Sequence, residues 1–516
     1  MLGILVSAFV TIRNEMIKKE ENEVEELSLS GDNYIHELNI PIMEVDSLNP
    51  ILTNNVQVQN ILSLIYEPLV SFSKDDSVIS FLATECGERD DLNWIIKLRK
   101  GVKWHNGNSF TADDVKFTIM QIKDETLNSP YKGNLSNVTA VEKLDEYSVL
   151  VTLDHKDSLF MYKLNFPIVP EYYFKNGDIS NESKINMPVG TGMYKYISTN
   201  EDVITLGRND SWWSEGSMHR LERIYLHKYS TYGEAIKAYK SSEVDLIITT
   251  MADWEKKFGT IGNNLYRYES SVFDTIIPNT KKLALSDSSV RKAILYAINR
   301  ENIVSKVFNS NASIVEVPIH TTSRFYSADI LSEHSLDKAK QILLNAGWKL
   351  ENGVWWKSIS KTNCKLNFTL ILNKNNKEHV LAAESIKEYL QDIGIKITVK
   401  SLNWNEYKSA LESGNFDLAM ASFDIKNETS LIEMLDESSS SNYTGYASKA
   451  MSELVTSVKR TNSSDDMKKL IELYRSETPY IGLYFRDNTL LTNKSVKGSI
   501  EPIWCNPYNG ILTWCK

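Results

Sequence analysis

Hydrophobic and polar positions follow two different periods along this chain. Residues 147–153 (YSVLVTL) alternate with period two, and residues 93–97 running into Leu98 have the same character, so both segments are predicted strands. Between them the spacing becomes helical. Val115, Ile119 and Ile122 share a face behind Thr111-Ala-Asp-Asp114, whose hydroxyl and acid three residues on form a capping box. Thr231 and Glu234 repeat this device before Ile236 and Tyr239, and residues 244–249 follow as a buried strand.

The second half is more regular. Val290, Ile294 and Ile298 mark one helix face. Ser335 caps the next helix, where Leu336, Ala339, Leu343 and Ala346 form an apolar stripe that Gly347 ends. Val380, Ala383, Ile386 and Leu390 repeat the stripe before Gly394, and residues 395–399 (IKITV) then alternate as a strand. A helix from Trp404 to Leu411 stops at Gly414, ahead of the strand FDLAMASF. Strand, helix and strand in this order predict an α/β protein built from βαβ units with parallel pairing. The chain has no fixed-period repeat, which excludes solenoids and propellers.

At 516 residues the chain exceeds what one core serves, and about 150 residues per domain gives two to four domains. Hydrophobic residues at 42% and charged residues at 24% exclude collagen-like, disordered and multi-span membrane classes. The net charge of −10 argues against nucleic acid as a partner, because phosphate tracking requires a basic surface. Residues 1–12 (MLGILVSAFVTI) are apolar but too short to cross about 30 Å of hydrocarbon as a helix, and they lack the charged start of a secretory signal. They fit a membrane anchor continued upstream of Met1, or a stray hydrophobic terminus. The charge-dense residues 14–32 fit a solvated tether.

Common routes to catalysis and metal binding are missing. The four cysteines form no C-x-x-C pair, and the eight histidines show neither H-E-x-x-H nor an i, i+4 pair. Cys505 and Cys515 flank two turn signals; a disulfide would close that hairpin in an oxidising compartment, and two free thiols beside buried tryptophans fit equally well. His105, in KWHNG, is expected to be a hydrogen-bonded histidine beside a turn. No G-x-S-x-G, phosphate-binding loop or G-x-G-x-x-G occurs. Neither a metal nor another cofactor is expected.

Ten local strings add a resemblance. They are Ser47-Leu-Asn-Pro50, Ile65-Tyr-Glu-Pro-Leu-Val70, Lys97-Leu-Arg-Lys-Gly-Val-Lys-Trp-His-Asn-Gly107, Phe110-Thr-Ala-Asp-Asp-Val115, Gly190-Thr-Gly-Met-Tyr-Lys195, the helix Val290 to Arg300, Ala339 to Trp348, Ile393-Gly-Ile395, Phe416-Asp417 and Pro479-Tyr-Ile-Gly-Leu-Tyr484. In this order, over about residues 45–515, the chain resembles the family 5 extracellular solute-binding proteins of ABC importers, the oligopeptide, dipeptide and nickel-binding group. The resemblance implies a two-lobed type II periplasmic-binding-protein fold with an inserted extra domain. Lobe I would comprise residues 33–55, 188–275 and 490–516, the insertion 56–187, and lobe II 276–489. It further implies a monomer that captures peptides in a cleft outside the cytoplasmic membrane; the family's usual lipid-bearing cysteine has no counterpart before Cys86, so the apolar residues 1–12 are the expected anchor near that membrane. Captured peptides would pass to ABC permease subunits.

A peptide cleft needs a carboxylate for the amino group, partners for the backbone and roomy side-chain pockets. In the family's peptide binders an aspartate just after the F-D strand pairs with the amine. By that resemblance Asp424 is the amine anchor, in register with Asn442 of the N-x-x-x-Y element, although the intervening segment is about two residues short of the pattern. An ordinary loop-capping aspartate is the alternative. Phe423 stands where the family has tryptophan and would pack on a ligand or in the core; Trp404 is a further aromatic candidate, against helix-face packing. Other readings are a binder of metal complexes or sugars on the same fold, a sensor and an enzyme. Residues 1–32 are too short and acidic for a DNA-binding head, and no catalytic constellation is present.

Overall fold

The structure is a computed structural model that describes residues 36–174, 179–180, 182–214, 220–259 and 262–516. The apolar run at 1–12 and the tether at 14–32 lie outside the described residues. Three large sheets carry the fold. The first has four strands in the order Glu37–Ile42, Arg223–Lys228, Val203–Arg208 and Tyr194–Asn200. The second, contributed by the segment between its first two chain stretches, orders Ala83–Glu88, Asn93–Leu98, Ser148–Leu153 and Val138–Asp145 as an antiparallel sheet. The helix Ala112–Lys123 buries Val115, Ile119 and Ile122, and the backbone N–H of Thr111 donates to Asp114 at 2.9 Å. One hydrophobic core runs continuously through both sheets, from Leu38 and Ile224 to Trp94 and Val151.

The third sheet has seven strands. Leu246–Thr249, Ile481–Asn493, Asn263–Pro278, Leu418–Asp424, Asn367–Asn373 and Lys396–Leu402 lie in that order, and Ala312–Ile314 pairs with Ile481–Asn493. One of its faces packs on Ile294, Leu343, Ile386 and Leu390, from the helical stripes predicted above. The other packs on Leu431, Val455, Leu470 and Tyr474 of the C-terminal helices. Glycines close two of these helices where only a left-handed residue continues the chain: φ is 85° at Gly394 and 67° at Gly414.

Parallel pairing is narrower than expected. Among the described strands it joins Glu37–Ile42 to Arg223–Lys228, and Asn367–Asn373 to its two neighbours. The remaining pairs are antiparallel, and residues 244–249, reduced to Leu246–Thr249, pair antiparallel with Ile481–Asn493. The reason is chain direction: the chain passes to the second lobe along Asn263–Pro278 and returns along Ile481–Asn493, so these two strands must oppose each other. They connect the cores as well. Tyr268 packs against the core shared by the first two sheets and Phe273 lies in the core with the C-terminal helices; on the return, Phe485 lies in the latter and Leu490 in the former.

Candidate functional site at the crossover of the two lobes

The crossover strands pair in step from Asn263 with Asn493 to Glu269 with Asp487, then lose register until Phe273 meets Phe485. A bulge re-aims side chains at the point where it interrupts the ladder. Here the carboxylate of Glu269 accepts the backbone N–H of Thr321 at 2.9 Å and also its hydroxyl. The neighbouring His320 is 1% exposed and stacks between Phe485, at 4.7 Å and 16°, and Trp504, at 5.1 Å and 9°. Its Nε2 faces the Ile425 carbonyl at 3.1 Å and therefore carries a proton, while its Nδ1 lies 3.4 Å from Glu269. Burial alone would raise Glu269, but the His320 and Thr321 contacts outweigh it and hold the carboxyl below its ordinary value.

Around these groups lies a cavity of about 320 Å³, walled by Lys74, Arg267, Glu269, His320, Asp487 and Trp504 among others. That is the low end of the roughly 300–1,000 Å³ of small-molecule sites. Its walls come from distant parts of the chain and carry both signs of charge. Asp487 receives the hydroxyl of Ser313 at 3.1 Å, and burial pushes its carboxyl up to about 7. Just beside the cavity, Asp76 accepts the Trp504 indole N–H at 2.8 Å; burial pushes this carboxyl up to about 6.

A second set of contacts ties the inserted segment to the C-terminal helices. Ser158 donates its N–H to the Lys459 carbonyl at 2.7 Å and its hydroxyl to the Arg460 carbonyl at 2.6 Å, at the C-terminal end of the helix Lys449–Thr461. The Tyr162 hydroxyl donates to Glu428 at 2.6 Å, and Arg324 donates to both at 2.6 and 2.9 Å. Phe72, Leu159 and Tyr162 are thereby buried in the same core as Ile432 and Val455.

The four residues singled out from the sequence lie toward the end of the strand Leu418–Asp424 and beside it. Asp424 pairs with Val272 at the bulge; its side chain is 58% exposed, 3.8 Å from Lys426, and is not among the residues lining the cavity. Phe423 is half-buried, with ring contacts to Tyr443 at 6.1 Å and Tyr480 at 5.6 Å. Asn442 commits its side chain to the turn before Tyr446, donating to the Tyr446 carbonyl at 3.0 Å and accepting the Thr444 hydroxyl at 2.9 Å. Trp404 is 55% exposed and contacts Tyr407 at 6.0 Å. The structure thus brings Phe423 beside the turn that Asn442 shapes.

Two other expectations resolve cleanly. Cys505 and Cys515 are both free. His105 is a structural histidine: Nε2 donates to the Gly192 carbonyl at 2.9 Å and Nδ1 accepts the Gly190 N–H at 3.2 Å, a pairing only the neutral ring can make, and burial pushes its pKa down to about 4. Sequence reasoning missed His320, Glu269 and Asp487. No local signal marks them, because their partners lie far away in the chain. Among the described residues, no three His, Cys, Asp or Glu side chains gather into a metal cluster.

Two lobes exchanging a pair of strands, with a ligand-sized cavity where those strands cross, define a clamp-type solute-binding protein. The chain belongs to the bacterial extracellular solute-binding proteins, family 5, whose middle-region model matches residues 77–442. The oligopeptide-binding protein AppA of Bacillus subtilis (strain 168) is 26% identical over 491 residues, covering 89% of this chain and 87% of AppA. The solved structure of Bacillus subtilis AppA in complex with a nonapeptide aligns with a TM-score of 0.64 at 23% identity, over 93% of this chain and 98% of that one. NikZ from Campylobacter jejuni, solved in complex with Ni(L-His), aligns with a TM-score of 0.68 at 21% identity, over 93% and 99%.

Proposed function

We propose that this protein is the extracytoplasmic substrate-binding component of an ABC importer, capturing peptides between its lobes and delivering them to the membrane permease. The observation that carries this reading is the crossover cavity, whose walls bear both carboxylates and basic side chains as a zwitterionic ligand requires. The curated name of AppA, an oligopeptide-binding protein, supports the same ligand class. The lobe boundaries belong to the proposal: residues 33–55, 188–275 and 490–516 as lobe I, 56–187 as the insertion and 276–489 as lobe II. So do the monomeric state and the membrane anchor at residues 1–12. Membrane fractionation tests the anchor, and recovery of the clamp in the cytosol would refute it.

On the lobe II side, Asp424 would meet the ligand's amino group, with Phe423 and Trp404 as flat apolar surfaces and Asn442 setting the turn between them. Because Asp424 is largely exposed, its contribution is screened, and Asp424→Asn should cost about 1 kcal/mol in binding a free-amine peptide. The deciding experiment is thermal shift of the purified protein against peptides, sugars and nickel–histidine, since a ligand that binds only the folded state raises the melting temperature. Stabilisation by sugars or nickel–histidine without any by peptides would replace the peptide reading.

A further inference from the structure

His320 faces two acceptors that one proton cannot serve. Its Nε2 meets the Ile425 carbonyl oxygen at 3.1 Å, and its Nδ1 lies 3.4 Å from the Glu269 carboxylate. Both partners offer only lone pairs, and neutral imidazole carries a single N–H. In either neutral tautomer one ring nitrogen therefore turns a lone pair toward an oxygen, and the buried Nδ1 makes no hydrogen bond. Imidazolium carries two N–H groups and a charge. It would serve Ile425 and pair with Glu269, which is ionised because the His320 and Thr321 contacts outweigh its burial and hold it below its ordinary value. The flanking rings favour the same species. Phe485 and Trp504 stack on the imidazole at 4.7 and 5.1 Å, and a cation is attracted to aromatic faces.

The ring sits where several parts of the chain meet. Glu269 belongs to the outgoing crossover strand and Phe485 to the returning one. Trp504 comes from the C-terminal segment, and its indole N–H donates to Asp76 in the inserted segment. Glu269, His320, Trp504 and Lys74, two residues before Asp76, all line the crossover cavity. Other charges surround the ring. Arg267 shares the outgoing strand and lies 3.4 Å from Glu255, and Asp487 stands opposite Glu269 on the return. Asp424 and Lys426 flank Ile425 and lie 3.8 Å apart. Arg324, on the ring's own loop, meets Glu428. Burial pushes the thiol of Cys505, next to Trp504, up to about 12, so it stays neutral.

We propose that His320 is a proton-operated pin: as imidazolium it ties its loop and Trp504 to Glu269, and on losing a proton it loosens the junction around the cavity. The pin follows from the ring's contacts alone; its bearing on capture rests on reading the crossover cavity as the ligand site. Histidine is the side chain that ordinarily changes charge between pH 5 and 8. The imidazolium is the species this junction stabilises, so its contribution belongs to the acid side and is lost as pH rises. Asp76 and Asp487, pushed up by burial to about 6 and about 7, titrate in the same window, so the informative quantity is a difference between variants.

The test uses the full chain as wild type, His320→Gln and Glu269→Gln. In the protein labelled with ¹⁵N-histidine, the His320 signals are those missing from His320→Gln. Both ring nitrogens are expected to carry protons at pH 5.5 and only one at pH 8, and Glu269→Gln, whose amide can donate to Nδ1, should keep the neutral ring at pH 5.5. A ring whose protonation is the same at both pH values overturns the proposal. The melting temperature of the wild type minus that of His320→Gln should be about 2 °C larger at pH 5.5 than at pH 8, the low end of the shift one interaction produces in a domain of 150–250 residues. Should His320→Gln fold poorly, Glu269→Gln is expected to show the same pH-dependent difference. A difference that does not change with pH overturns the pin. Capture is read by retention of a peptic digest of casein at both pH values. The wild type should retain about fivefold more at pH 5.5, the low end of couplings between sites, and the two variants should lack that dependence. Equal retention by the wild type at both pH values, or the same dependence in His320→Gln, overturns the link to capture. Retention of no peptide at either pH refutes the peptide reading instead, and the pin is then judged by the ring signals and melting temperatures.

Discussion

The hydroxyl of Tyr162 donates a 2.6 Å hydrogen bond to Glu428, 266 residues further along the chain. Glu428 is 2% exposed, and Arg324 is the cation that meets it. Burial raises the Glu428 carboxyl above its ordinary value, with the Tyr162 and Arg324 contacts working against that rise. The phenol therefore shares in keeping a buried carboxylate satisfied while joining the inserted segment to the helix Glu428–Leu435.

Removing that hydroxyl should be felt as lost stability. Tyr162→Phe keeps the ring in the core beside Phe72, whose centroid is 6.2 Å away, and deletes only the hydroxyl, which donates to Glu428 and accepts from Arg324. The expected cost is about 1–3 kcal/mol, the range for a hydrogen bond to a buried charged group. Urea unfolding checks it; an unchanged midpoint would show that Arg324 alone suffices.

Glu67 predicts a dependence on pH. Its carboxylate accepts the indole N–H groups of Trp212 and Trp213 at 2.8 Å each and the Thr191 hydroxyl at 2.7 Å. Burial nevertheless pushes it up to about 7 from 4.5. A carboxyl raised in the folded state binds a proton more tightly there than in the unfolded chain. Its contribution to stability is thus fully present below about 4.5 and is lost as pH rises through about 7. Asp76, Asp114 and Asp487 are raised too and act in the same direction, so the informative quantity is a difference. The melting temperature of Glu67→Gln minus that of the wild type should increase from pH 5 to pH 8. A constant difference would mean that Glu67 does not titrate in this window.

Gly190 is predicted to be irreplaceable for a steric reason. A Cβ there would lie 1.8 Å from the carbonyl oxygen of Ile65, where backbone cannot give way. Gly190 also bonds His105 through its N–H to Nδ1 and through its carbonyl to the His105 N–H. Gly190→Ala should cost more than about 3 kcal/mol, while Gly133→Ala, where a Cβ would meet nothing within 4 Å, should stay within about 0.5 kcal/mol. Comparable melting temperatures for the two variants would contradict this.

Arg291 is 1% exposed and works as a fork, donating to the carbonyls of Leu285, Ser286, Glu477 and Thr478 where the helices Leu283–Ser286 and Ser464–Glu477 end. A lysine is a point charge on a flexible stem and cannot span four acceptors. Arg291→Lys should therefore destabilise by about 2–4 kcal/mol without altering ligand preference, since each abandoned buried acceptor carries a desolvation cost. Denaturant unfolding together with the peptide-retention assay separates the two effects.

Local devices were legible in the chain because their chemistry spans a few residues. Ser335 accepts the N–H of Lys338 at 3.2 Å, and the N–H of Glu234 donates to Thr231 at 3.3 Å while the N–H of Thr231 donates back to Glu234 at 3.3 Å, as the spacing of hydroxyl and acid predicts. The apolar stripes through Leu343, Ile386 and Leu390 are buried where helical periodicity places them. The crossover site was not legible, because its members are joined by pairing and not by proximity. Glu269 and Asp487 become neighbours only when two strands from opposite ends of the second lobe run side by side, and the bulge after Glu269 depends on that same pairing.

The α/β class, the helix caps and stops, and the apolar faces can be read from the chain alone, since each follows from backbone sterics, capping hydrogen bonds and burial periodicity within one element. Its ordered local strings also pointed to the family. The direction of strand pairing, the free state of Cys505 and Cys515, the neutral tautomer of His105 and the meeting of Tyr162 with Glu428 were decided by the tertiary structure. Hydrogen bonds and charges act over a few ångströms of space, and only folding sets which distant residues come within that range.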